Sequence, residues 1–422
     1  MGTGYQPIDY QRALEALRSG VPNRDAVNML GTTQREAEAM FLERISLVAA
    51  HVKDGRQVQG LLLAGGFGSG KSHLLDFLAH AAVEKNFVCS RVVISKETQL
   101  YDPAKMFNAA IEGTVVPSLS GEAVREIALR LQPSTRKYTE FFEWANDPAN
   151  GLSDLFKATI LLHDRMGNDP EMVEDITNFW SGERIAISRV RQGLKQIGCS
   201  GMYTLKTVKI KDLAIQRFLF ASRMIIAAGY NGWVLLIDEV ELAGRYSLLQ
   251  RGRSYAELAR WMGRVEGEVC PGLTAVAAIT DDFSLAVLEE KRDREVVGTR
   301  FRAKGTDEYT TLAGRAETGM RLIEREAVTL QAPDGATLAH TYQRLKEMHA
   351  KAYKWDPPEI PTAALSMRRS MRSFVRRWVN EWDLRRLYPG AELSTEVEEE
   401  MRPSYEEDDA LDQASTEPAL IE

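Results

Sequence analysis

One stretch constrains this chain more than any other: Gly65-Gly66-Phe67-Gly68-Ser69-Gly70-Lys71-Ser72 fits the phosphate-binding pattern G-x-x-x-x-G-K-[ST] at every fixed position. The apolar run Gly60-Leu61-Leu62-Leu63-Ala64 before it has the length of a buried parallel strand, and Ser72 to His80 after it is apolar at helical spacing. Strand, glycine loop and helix therefore stand in the order that lets backbone N–H groups turn toward phosphate oxygens at a helix N-terminus. In that arrangement Lys71 reaches the β- and γ-phosphates and the Ser72 hydroxyl takes Mg²⁺. ATP and Mg²⁺ are thus the expected ligands, with Gly65 to Ser72 and the adjoining His73 around them.

A second carboxylate-bearing strand fits the same chemistry. Trp233-Val234-Leu235-Leu236-Ile237 is a short apolar run that ends in Asp238-Glu239, the Walker B form. Asp238 is expected to orient a Mg²⁺-bound water and Glu239 to act as general base on the attacking water. A further buried strand, Leu273 to Thr280, ends in Thr280-Asp281. In ATPases whose strand order sets this strand between the other two, a polar residue here can reach the γ-phosphate and the attacking water; Thr280 is the candidate, against the plainer reading in which its hydroxyl caps the next helix with Asp281-Asp282.

Downstream, the chain from Lys291 to Arg325 is crowded with basic residues and leads into a fifth strand at 327–332. Arg321 or Arg325, just before that strand, is a candidate finger for a neighbouring subunit's ATP, against the plainer reading of a helix face paired with Glu317, Glu324 and Glu326. Helices are expected at 336–352 and 361–384. The second sets Arg368, Arg369, Arg372, Arg376 and Arg377 among Met371, Phe374, Val375 and Trp378. It reads as a lid whose Arg368 or Arg372 contacts nucleotide, as a nucleic-acid face, or as an ordinary amphipathic helix.

The remaining pattern divides the chain. Residues 1–57 carry helices, one at 9–19 and another from Thr33, where Thr33-x-x-Glu36 has capping-box spacing. Residues 58–102 and 211–333 form the expected core, 103–210 a helical insertion, 334–390 the lid and 391–422 an acidic tail without fixed structure. From Glu392 onward twelve acidic residues face one basic residue, Arg402, so the total charge of −7 hides a mildly basic body of +4. Three cysteines in no C-x-x-C pair suggest neither disulfides nor zinc. No apolar run reaches membrane-spanning length and no signal pattern opens the chain, so a cytoplasmic protein without membrane contact is expected.

The fold class these motifs imply is α/β: a P-loop NTPase, AAA+-like parallel sheet with a helical insertion and a small helical lid. Ile237-Asp238-Glu239-Val240-Glu241, running on through Arg245 to Tyr255, together with Gly65 to Ser72 and the opening Ala16 to Pro22, resembles the P-loop ATP-binding proteins of bacterial BREX phage-defence loci, BrxD type. More distantly the chain is similar to initiator-type AAA+ ATPases, although no winged helix follows the lid, and direct duplex-DNA binding is not carried over. The resemblance implies antiviral defence beside a helicase or another partner from the same locus, with DNA contact and homo-oligomers left open. Two functions follow: an ATPase that couples nucleotide state to a partner or nucleic acid, or a scaffold that holds ATP with little turnover.

Overall fold

The computed structural model describes residues 5–19, 23–117, 122–208, 210–360, 371–390 and 404–408. Its centre is a six-stranded sheet in the order β3-β2-β4-β5-β1-β6. The strands are β1 (Leu61–Ala64), β2 (Val88–Val93), β3 (Thr114–Val115), β4 (Trp233–Asp238), β5 (Leu273–Ile279) and β6 (Val328–Thr329). Neighbours pair in parallel except β2 with β3. β1, β4 and β5 are buried at every residue. Parallel strands covered on both faces have no solvent side, which is why these three read as near-continuous apolar runs, interrupted only by Asp238 at the end of β4 and Thr274 in β5.

Helices α1 (Pro7–Ser19), α2 (Arg24–Leu30) and α3 (Arg35–His51) precede β1, and α4 (Lys71–Glu84) follows the glycine loop. Between β2 and β4 come α5 (Pro103–Glu112), β3, α6 (Ala123–Leu129), α7 (Arg136–Asn146), α8 (Asp154–Arg165), α9 (Pro170–Ser181), α10 (Ile187–Gln196) and α11 (Ile210–Ala227). α12 (Leu248–Trp261) joins β4 to β5; α13 (Asp293–Arg302) and α14 (Asp307–Arg325) join β5 to β6; α15 (Gly335–Tyr353) and α16 (Met371–Leu387) come after β6.

Strand alternation sorts the core into two sides. Leu61, Leu63, Val234, Leu236, Val276 and Ala278 pack with α3 and α4. Leu62, Ala64, Leu235, Ile237, Ala275 and Ala277 face a larger cluster that includes α5 to α14. A third cluster joins the two ends of the chain: Ala13, Leu14 and Leu17 of α1 meet Leu345 of α15 and Phe374, Trp378 and Trp382 of α16.

Local chemistry sets several helix starts. Asp102-Pro103 and Asp169-Pro170 each put a capping carboxylate before a proline suited to a first helical turn; Asp102 accepts from Ala104 N at 2.9 Å and Asp169 from Met172 N at 3.1 Å. The capping box expected at Thr33 does not form. α3 begins at Arg35 because the Gln34 amide clamps the Gln331 backbone beyond β6, at 2.9 and 3.0 Å, while Thr32 Oγ1 takes the Gln34 N–H. The expected fifth strand shrinks to Val328–Thr329.

The acidic tail also departs from expectation, since residues 404–408 lie on the core, with the Tyr405 ring edge-on to Phe283 at 5.8 Å between centroids. No described helix is long and apolar enough to cross a membrane.

Candidate nucleotide site

The glycine loop connects the end of β1 to α4. Gly68 and Gly70 have φ of 71° and 96°, left-handed values that a residue without Cβ adopts at little cost. Gly65 is small for another reason: a Cβ there would stand 2.6 Å from Ser69 Oγ. That buried hydroxyl has no hydrogen-bond partner among the described residues, the kind of unsatisfied group an anion can complete. Lys71 is buried, its Nζ 3.0 Å from the Gly65 carbonyl, 3.4 Å from that of Gly66 and 3.5 Å from Glu241 Oε1.

Carboxylates arrive from the adjoining strand end. Asp238 closes β4; its Oδ1 accepts the Glu239 N–H at 3.0 Å and its Oδ2 takes Arg91 at 2.6 Å. Arg91 also binds Asp76 at 2.5 Å and the Ser72 carbonyl at 3.4 Å, so one guanidinium ties β2, β4 and the first turn of α4 together. Sequence reasoning passed over Arg91. The signal was present, because a charge in the middle of an apolar strand requires a partner.

Glu239 has φ of 57° although it is not glycine, a conformation that costs about 1–3 kcal/mol and concentrates at functional sites. Burial, then the charge of Asp238, pushes its carboxyl up, while Lys71, Arg372 and Arg91 pull it down. Two residues on, Glu241 is only 3% exposed. Burial raises its carboxyl to about 7 against the pull of Lys71, and its Oε2 has no partner among the described residues. Glu241 entered the sequence reading only as part of a motif; the fold places it against Lys71.

β5 lies between β1 and β4, which puts Thr280 beside both strand ends. Its hydroxyl does not cap the following helical turn, Ser284–Glu289; it lies 2.6 Å from the Tyr405 phenol. From the other side, the Arg372 guanidinium of α16 stands 5.9 Å from the centre of the Phe67 ring in the loop. His73 Nε2 is 2.8 Å from the Gly31 carbonyl, tying α4 to the α2–α3 connection; burial lowers the pKa of its ring, against that bond.

Between these parts opens a cleft, partly open to solvent, walled by Leu17, Leu30, Gly31, His73, Met371 and Val375 among others, with Gly68, Gly70 and Ser72 at one end. Leu17, Leu30, Met371 and Val375 thus set an apolar wall beside the glycine loop. Arg368 and Arg369 lie outside the described residues. Arg321 and Arg325 are not brought to the loop: they precede the start of β6, whereas the loop follows the end of the parallel β1, and both are exposed.

Residues 6–128 match the family model for the BREX system ATP-binding protein BrxC/D, which supports a BREX ATP-binding protein. The match contains the glycine loop, Arg91 and β1 to β3, and it ends before β4. No curated protein and no solved structure matches the chain.

Proposed function

We propose that this chain, similar over residues 6–128 to the BREX system ATP-binding proteins, is a Mg²⁺-dependent ATPase of the P-loop, AAA+-like kind that works in phage defence. Its nucleotide state would be coupled to a protein partner or a nucleic acid, in the cytoplasm. The observation that carries the reading is convergence. Lys71, Asp238 with Glu239, and Thr280 lie at or just beyond the ends of β1, β4 and β5, three adjacent parallel strands, at the edge where open α/β sheets take their ligands.

In this reading the loop N–H groups cradle phosphates, and Lys71 exchanges its carbonyl contacts for phosphate oxygens. Ser72 and Asp238 would hold Mg²⁺, which supplies charge neutralisation at the transferring phosphate. Glu239, raised by burial, orients and deprotonates the attacking water.

Lys71→Ala is expected to abolish or greatly weaken nucleotide binding. Glu239→Gln should bind ATP and lose hydrolysis by about 10²- to 10⁴-fold. Turnover of Glu239→Gln as fast as the parent under saturating Mg²⁺-ATP removes the general-base assignment. One observation favours the second reading, a scaffold that holds ATP: both Asp238 oxygens are already engaged, Oδ2 by Arg91 and Oδ1 by the Glu239 N–H. That reading predicts equally slow turnover in the parent and in Glu239→Gln, with or without DNA.

A further inference from the structure

A five-residue stretch of the acidic tail lies against the candidate site. The Tyr405 phenol stands 2.6 Å from Thr280 Oγ1 and 2.8 Å from Asp282 Oδ1. A carboxylate only accepts, so the phenol proton goes to Asp282, and Thr280 must give its single proton to the phenol oxygen. The Tyr405 ring stacks edge-on against Phe283 and fits over Gly244, where a Cβ would meet it at 2.8 Å. Charge holds the rest: Glu407 is 2.7 Å from Arg251, and Asp408 is 2.9 Å from Arg245 and 3.8 Å from Lys96. The Asp408 N–H donates to the Arg245 carbonyl at 3.1 Å, and Lys291 donates to the carbonyls of Tyr405 and Gly244.

We propose that Gly244, Arg245, Arg251, Phe283 and Lys291 form a docking groove for an acidic, tyrosine-bearing peptide, that residues 404–408 of the chain occupy it, and that Tyr405 thereby withholds the Thr280 hydroxyl from phosphate and attacking water. The inference rests on Thr280 having the phosphate-facing role given above. The groove does not need the tail for its shape. Beneath it Arg251 is already held by Asp293 at 2.7 and 2.8 Å and by the Tyr246 carbonyl at 2.7 Å, and Tyr255 donates to Asp293 at 2.6 Å. The tail's ion pairs each reach water on one side: Glu407 is 54% exposed against buried Arg251, and Asp408 is 23% exposed beside Arg245 and the exposed Lys96, so solvent can compete for each. The segment is therefore a restraint that can leave, set over a framework that stays.

The test uses the full chain with Tyr405→Phe, which keeps the ring and removes the hydroxyl, and with the double change Glu407→Lys and Asp408→Lys, which repels the groove. Turnover at saturating Mg²⁺-ATP is read beside binding of a fluorescent ATP analogue. Each variant is expected to hydrolyse ATP about fivefold faster than the parent, the rate equivalent of one hydrogen bond, with nucleotide affinity unchanged. A synthetic peptide of residues 402–410 should slow the charge-reversed variant again, and the same peptide with Phe at 405 should not.

Unchanged or lower turnover in both variants, with nucleotide still bound, overturns the docking inference and leaves the nucleotide reading standing. A parent that binds no nucleotide overturns both. If an oligonucleotide slows the charge-reversed variant as well as the native peptide does, the groove is a general polyanion site and the peptide assignment falls.

Discussion

Glu241 is the carboxylate whose proton the fold changes most plainly. It is buried 3.5 Å from Lys71, and its carboxyl rises from 4.5 to about 7, chiefly by burial, with Glu239 adding and Lys71 opposing. Between those two values the folded chain keeps a proton that the unfolded chain has released. This group's contribution to stability is therefore fully present below about pH 4.5 and is lost as pH rises through about 7. Glu241→Gln cannot ionise and escapes the loss. Relative to the parent it should gain roughly 3 kcal/mol between pH 4.5 and 8, read by urea unfolding at a series of pH values without nucleotide. Parallel stability profiles for the two proteins would show that Glu241 titrates as an ordinary surface carboxyl. The same burial explains why Lys71 needs company: an ammonium out of water must find acceptors, and two loop carbonyls and Glu241 supply them.

At the scale of elements, α16 is the piece that brings charge to the loop from outside the sheet. Its apolar side, Phe374, Val375, Trp378 and Trp382, is buried against α1 and α15, and this orientation leaves Arg372 over Phe67. Arg372→Glu should weaken ATP binding about tenfold or more and slow hydrolysis, equally at every protein concentration, because helix and loop belong to one chain. Titration with a fluorescent ATP analogue across dilutions checks this. Affinity that recovers on concentration would move the residue's role to a neighbouring subunit.

Elements whose pattern is local were legible in the sequence. β1, β4 and β5 announced themselves as apolar runs ended by loop glycine, Asp238 or Thr280, and α15 differs from its expected bounds by a residue at each end. What was not legible depends on distant partners. Gln34 gives up a cap for Gln331, 297 residues away, and Tyr405 meets Thr280 across 125 residues. No periodicity records such pairs. Acidic composition alone described a tail unable to bury apolar surface, but Arg245, Arg251 and Lys291 turn the same acidity into a means of docking.

For the whole molecule, the sheet order decides which arginines can act within one chain. β6 borders β1, but α14 enters β6 at its start while the glycine loop leaves β1 at its end. The glutamates expected to neutralise this helix bind elsewhere: Glu317 meets Arg302, Glu324 meets Arg294 and Glu326 meets Arg264. Arg321 and Arg325 remain exposed ahead of the edge strand β6, away from their own loop, so any role as a finger would need a second copy. The double change Arg321→Ala and Arg325→Ala should therefore leave turnover as in the parent at dilutions where subunits are apart. Where subunits associate, it should lower turnover by about 10³-fold or more if the arginines act as a finger. Mixing it with Lys71→Ala should recover part of the activity, since one chain contributes an intact loop and the other an intact edge. If mixed assemblies form, as native mass spectrometry would show, and nothing is recovered, a finger acting between subunits is excluded and these arginines are a solvated face.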